Sequence, residues 1–199
     1  GKRLGLLDGF MEQGKFDVTK LLKSSGENVI AVLVYWPTLP VPNYASPTYI
    51  SSDGWDWMPS VPGLLQGITD DVYFSTSGNI TIDNTWIRTG LNSSLNAAAI
   101  SLNLRLKNSG DTEEKGYVNL HIQPGNITVK KPFAINPKML VTERFDTALF
   151  KELLVENPKL WWPNGYGQPN LYTCQVQVYL NDKLSDATSV NFGIRKYTY

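Results

Sequence analysis

The 199 residues carry 18 Lys and Arg against 18 Asp and Glu, a net charge of zero. That excludes the broad basic footprint on which nucleic-acid binding depends, and it gives no pull toward anionic membrane surfaces. Apolar residues make up 42% and aromatic residues 12%, a composition that folds around a core. A lone cysteine, Cys174, excludes an internal disulfide and a cysteine-built zinc site, and a lone histidine, His121, removes most His-dependent metal and acid–base schemes. Neither a metal nor another cofactor is required.

The chain opens Gly1-Lys-Arg-Leu-Gly-Leu-Leu-Asp8 with no apolar signal core, so any targeting segment is expected upstream. Asp17-Val-Thr-Lys-Leu-Leu22 reads as one helical turn capped by Asp17. Val29 to Trp36 is the best apolar run and predicts a strand over 28–36; it falls well short of the roughly 18 residues of a membrane span. The compartment is left open, with an extracytoplasmic setting (periplasmic or secreted) favoured. A long aromatic loop follows through Pro62. The small polar residues Ser75-Thr-Ser-Gly78 then mark a boundary between domains over 1–75 and 76–199.

Beyond that boundary the period is two. Ile100, Leu102, Leu104 and Leu106 alternate with polar residues, as do Val118, Leu120 and Ile122, then Cys174, Val176, Val178 and Leu180, and finally Val190, Phe192 and Ile194. Turn signals separate them at Asn108-Ser-Gly-Asp111, Pro124-Gly-Asn126, Asn136-Pro137 and Asn181-Asp182. The span from Phe145 to Val155 has residues four apart on one face, but Pro158 and the β surroundings favour a strand at Leu153 to Glu156. The fold expected is all-β: an immunoglobulin-like sandwich of about the usual size. The first 75 residues hold one strong strand and read as the C-terminal part of a larger β domain.

The densest chemistry lies in Asp53-Gly-Trp-Asp-Trp-Met-Pro-Ser60, where Trp55 and Trp57 flank Asp56 between Gly54 and Pro59. Aromatic faces suit the C–H face of a sugar, and a carboxylate accepts hydrogen bonds from its hydroxyls. The competing reading has the two tryptophans plugging the end of a sandwich while Asp56 holds the loop in an Asx turn. Leu160-Trp-Trp-Pro-Asn-Gly-Tyr-Gly-Gln-Pro169 has a turn at Asn164-Gly165 and two adjacent rings pointing to opposite faces of an extended segment. One ring is expected in the core, the other against a neighbouring domain. His121 falls on the outward phase of its strand and Cys174 on the inward phase.

At these loops the chain resembles glycoside hydrolase family 2, in its β-mannosidase and exo-β-glucosaminidase branch. Gly9-Phe-Met11, Phe16-Asp-Val-Thr19 and Gly26-Glu-Asn-Val-Ile-Ala-Val32 resemble the late strands of that family's sugar-binding jelly roll, and Gly54-Trp-Asp-Trp-Met-Pro59 with Asp71-Val-Tyr73 its end. Asn157-Pro-Lys-Leu-Trp-Trp-Pro-Asn-Gly-Tyr-Gly167 resembles a hallmark of the immunoglobulin-like domain, and Phe192-Gly-Ile-Arg195 its hand-over to the catalytic barrel. Thr69 departs from the aromatic residue usual at that place. The resemblance implies a partial, galactose-binding-like jelly roll followed by the sandwich, with both catalytic glutamates in the barrel and no catalytic residue in this piece. It implies a β-linked oligosaccharide or glycan as substrate, the parent's own barrel as partner, and substrate contacts by Trp55, Asp56 and Trp57. The rival reading is a stand-alone carbohydrate-binding or adhesion module.

Overall fold

The computed structural model describes residues 1–8, 12–35, 67–68 and 70–197. The chain divides into two compact units, Gly1–Tyr73 and Phe74–Tyr199. In the first, the Asp17 carboxylate accepts from the Thr19 amide at 2.9 Å, and the Leu21 and Leu22 amides donate to the Val18 carbonyl, so the expected single turn is present. The strand expected over 28–36 is not: residues 28–35 join no ladder, and Val29 is 83% exposed. A strand exists only against a neighbour that takes its amides and carbonyls. Among the described residues the first unit offers no such neighbour.

The second unit is the β-sandwich the alternation predicts. One sheet contains β1 (Ile80–Leu91), β2 (Ala97–Asn108) and β5 (Leu140–Phe145) in that order, with β6 (Leu154–Glu156) pairing to the start of β2. The other has the order β4 (Ile127–Ile135), β3 (Glu114–Gln123), β7 (Tyr172–Leu180), β8 (Lys183–Phe192). All pairings between these strands are antiparallel. A 3-10 turn at Lys151–Leu153 leads into β6, so the ambiguous segment resolves as turn then strand.

The core lies between the sheets. Ile100, Leu102, Leu104 and Leu106 face Val118, Leu120, Ile122, Cys174, Val176 and Val178, all buried. Burying a Leu, Ile or Val side chain contributes roughly 1.5–3 kcal/mol, so these strands dominate the stability of the unit. Val190 and Phe192 are only half-buried because β8 is an edge strand, whereas Ile194 is buried.

Polar staples close both open sides of the sandwich. On one, the Gly78 amide donates to the Ser185 carbonyl at 2.7 Å, the Ser185 hydroxyl to the Ile80 carbonyl at 2.7 Å, and the Ile82 amide to the Asp186 carboxylate at 2.7 Å. On the other, the Lys131 ammonium pairs with Glu143 at 2.6 Å and donates to the Arg144 carbonyl at 3.1 Å, joining β4 to β5. Edge groups that could template another chain are thereby occupied at these points. The β7–β8 hairpin turns on Asn181 and Asp182, both at positive φ (48° and 58°), as a two-residue type I′ turn requires.

Candidate functional site

The residues singled out from sequence for substrate contact, Trp55, Asp56 and Trp57, lie outside the described residues, as does Thr69. The other aromatic cluster is described in full, at one end of the sandwich. Leu160 forms a parallel bridge with Ile194 and Trp161 an antiparallel one with Pro169. The Trp161 amide donates to the Ile194 carbonyl at 2.9 Å and the Trp162 amide to the Gln168 carbonyl at 3.1 Å. Within the loop, Tyr166 N–H donates back to the Pro163 carbonyl at 3.0 Å, and Gly165 takes φ 84°, the conformation Asn-Gly turns favour. The Asn170 amide group donates to the Leu160 carbonyl at 2.9 Å and fixes the loop's return.

Both tryptophans rest on glycines. A Cβ at Gly193 would lie 2.8 Å from the Trp161 Cβ, and one at Gly167 2.7 Å from the Trp162 ring. The Arg195 guanidinium sits 4.9 Å from the Trp161 ring centroid and 4.7 Å from that of Tyr197, and donates to the Tyr197 hydroxyl at 3.1 Å. Such stacked cation–aromatic contacts are worth about 0.5–1 kcal/mol each at exposed sites. Trp161, Leu171, Gly193 and Arg195 line a shallow pocket of about 320 Å³.

The expected division of the two rings holds only in part. Trp162 is exposed, but Trp161 is half-buried and outside the core. Ile194, Tyr172, Leu153 and Phe145 are among the residues that do lie in the core. None of the four pocket residues is a carboxylate, so the pocket can pack against a partner but cannot perform two-carboxylate hydrolysis. Among the described residues there is no cluster of three or more His, Cys, Asp or Glu placed to hold a metal. Nor is any described helix long and apolar enough to cross a membrane.

From sequence, Leu171-Tyr172 entered only as part of the resemblance to the immunoglobulin-like domain, with no role given to the tyrosine that anchors this end. Tyr172 is 2% exposed, and its hydroxyl accepts from the Lys159 amide at 2.9 Å. It stands two residues before Cys174 at the start of β7, the position of the tyrosine corner in immunoglobulin-like sandwiches. The signal was present in the Tyr-x-Cys spacing. His121, expected on the surface, is on the outer face of its sheet and contacts Thr128 at 3.2 Å and Gln123 at 2.9 Å.

Residues 80–195, more than half of the chain, match the family described as glycosyl hydrolases family 2. Among curated relatives, a mannosylglycoprotein endo-beta-mannosidase of Lilium longiflorum is 23% identical over 94% of this chain and 21% of its own length. An exo-beta-D-glucosaminidase of Streptomyces avermitilis is 26% identical over 94% of this chain and 20% of its own. The chain therefore spans about a fifth of the length of these relatives. Among solved structures, the exo-chitosanase of Amycolatopsis orientalis has the same fold over 60% of this chain and 13% of its own, with a TM-score of 0.54 at 21% identity. The sandwich, its tryptophan loop and the match over 80–195 together place the chain in glycoside hydrolase family 2.

Proposed function

We propose that these residues form a non-catalytic β portion of a family 2 glycosidase that releases β-linked mannosyl or glucosaminyl units in carbohydrate catabolism. In this reading the sandwich braces the catalytic barrel, which resides elsewhere in the parent. The first unit is the end of its sugar-binding jelly roll. The observation that carries the reading is similarity to both an endo-beta-mannosidase and an exo-beta-D-glucosaminidase over 94% of the chain, well beyond the sandwich alone. The exposed Trp162, Leu171 and Tyr197 beside the Trp161–Arg195 pocket supply apolar surface for the barrel to cover.

Asp56, between Trp55 and Trp57, then reaches the substrate pocket and accepts hydrogen bonds from hydroxyls of the sugar being released. Removing a charged hydrogen bond to substrate is worth about 1.5–3 kcal/mol, so Asp56→Ala in the full-length parent should lower kcat/KM roughly ten- to a hundredfold. The thermal midpoint should stay put if Asp56 serves substrate binding alone. Unchanged kinetics in a folded Asp56→Ala parent would return the loop to a purely structural role.

A further inference from the structure

The outer face of the β4-β3-β7-β8 sheet carries a field of uncharged polar side chains. Across its three central stretches, 119–123, 173–177 and 187–191, there is no Lys, Arg, Asp or Glu, although such residues make up 18% of the chain. The strand register sets amides and hydroxyls side by side: Asn119 is opposite Gln177, His121 is opposite Gln175, and Thr173 lies between Gln123 and Asn191. Several are held in place by one another. The Asn119 amide donates to Gln177 at 3.4 Å, the Thr173 hydroxyl to Asn191 at 2.8 Å, and the Gln123 amide contacts His121 at 2.9 Å. At one end the field stops at Tyr117 and Tyr179, stacked 5.0 Å apart, with Lys130 over the Tyr117 ring and Asp182 at its hydroxyl.

We propose that this face is a second glycan-binding surface, built from residues other than Trp55, Asp56 and Trp57, which takes an uncharged β-linked oligosaccharide along the sheet. A nucleic acid or anionic polymer would need several cations, and Lys130, opposite Asn119 on β4, supplies one at the field's border. A protein partner would need large apolar or Arg anchors, and the outward positions of the three stretches offer none above Ala187 in apolar size. What remains is hydrogen bonding to hydroxyls, from donors and acceptors repeated about 4.8 Å apart across neighbouring strands. Mutual hydrogen bonds hold those side chains ready and reduce the ordering that binding would otherwise demand. A sheet face encloses less of a ligand than a pocket does, so binding is weak, with a Kd on the order of 1 mM. The proposal rests on the glycosidase reading above: such a surface would hold a polymeric substrate on the parent enzyme.

The test is titration of the isotope-labelled 199-residue chain with mannohexaose, followed by amide and side-chain NH₂ resonances. Shifts should appear at Asn119, Gln175 and Gln177, and should be insensitive to salt. A Gln175→Ala/Gln177→Ala chain should bind about tenfold more weakly, as the loss of two hydrogen bonds implies. Gln175→Glu, which keeps shape and adds charge, supplies a second variant with the same expectation of weakening. No shift at the face, affinity unchanged by both variants, or binding abolished by salt would overturn the sheet-face site. Shifts confined to the 53–60 loop would also overturn it while leaving the loop's proposed role standing. Face shifts alongside a kinetically silent Asp56→Ala parent would keep the face and remove the loop.

Discussion

Cys174 is fully buried on β7, packed among apolar neighbours with no cation to offset a thiolate, and burial pushes its thiol up to about 12. An unfolded chain loses that proton near about 8.5. Between those values the unfolded state binds fewer protons than the native one, so stability falls as pH rises, by about 1.4 kcal/mol per unit. Below the unfolded value the thiol contributes no slope. Denaturation of wild type and Cys174→Ala across this alkaline range isolates the effect, since other groups titrate alike in both. The variant should carry a constant offset and a shallower fall; parallel curves would place the thiol in contact with water. Asn108 is equally buried, but polar. Its amide donates to the carbonyls of Thr112 at 2.8 Å, Ile135 at 2.9 Å and Asn136 at 3.2 Å, while its oxygen accepts from the Gly110 amide at 2.8 Å. Asn108→Leu orphans these groups and should destabilise by about 2–4 kcal/mol. Asn108→Asp presents a carboxylate to three carbonyl oxygens, so it should recover stability on acidification, when the protonated acid can donate. A pH-independent loss in Asn108→Asp would show that the site admits water.

At the scale of elements, Gly116 and Gly90 show how a strand position decides what a methyl does. A Cβ at Gly116, in central β3, would overlap the Tyr179 carbonyl oxygen of β7. Gly116→Ala must therefore part the two strands, and about 2–4 kcal/mol of stability should go with it. At Gly90, on β1, the nearest atom to such a Cβ is 4.0 Å away. Gly90→Ala should stabilise by about 0.4–1 kcal/mol through the unfolded chain's lost freedom. Equal denaturation midpoints for the two variants would contradict this contrast. The same geometry explains which strands the sequence displays. β2, β3 and β7 are central, with one face on the core throughout, so their alternation is unbroken. β1 conceals its period because a register shift between Ile82 and Asn84 moves the inward phase from Ile80 and Ile82 to Ile87 and Leu91. In β4, Lys130, Lys131 and Pro132 interrupt the pattern between Val129 and Phe133, as an edge strand tolerates. The most strand-like run of all, Val29 to Tyr35, forms no ladder, because apolar β-propensity supplies no neighbouring edge.

For the whole molecule, the family was legible in short aromatic motifs, whereas contacts that depend on tertiary proximity were not. The Trp161–Trp162 loop could be recognised from spacing, but its contact with Gly193 and Arg195 joins segments some thirty residues apart that only the bridge between Leu160 and Ile194 brings together. The two units should also differ in behaviour. Amides of β2, β3 and β7 should exchange slowest, whereas those of 28–35, without ladder partners, should exchange at rates near those of an unfolded chain. Protection over 28–35 in the isolated chain would show a sheet partner there. The last expectation concerns chemistry. Retaining glycoside hydrolysis needs two carboxyl groups about 5–5.5 Å apart across the scissile bond, one of them able to hold a proton. Several carboxylates of the sandwich are committed to surface pairs: Asp83 with Arg105 at 3.0 Å, Asp111 with Lys138 at 2.7 Å, Glu113 with Lys115 at 3.0 Å and Glu143 with Lys131 at 2.6 Å. The described pocket contains none at all. On the proposed reading, in which the barrel carries the chemistry, the purified 199-residue chain should leave aryl β-mannosides and β-glucosaminides intact. Turnover that persists through rigorous purification, and is lost in Asp56→Ala, would mean that the Trp55–Trp57 loop carries chemistry as well as binding.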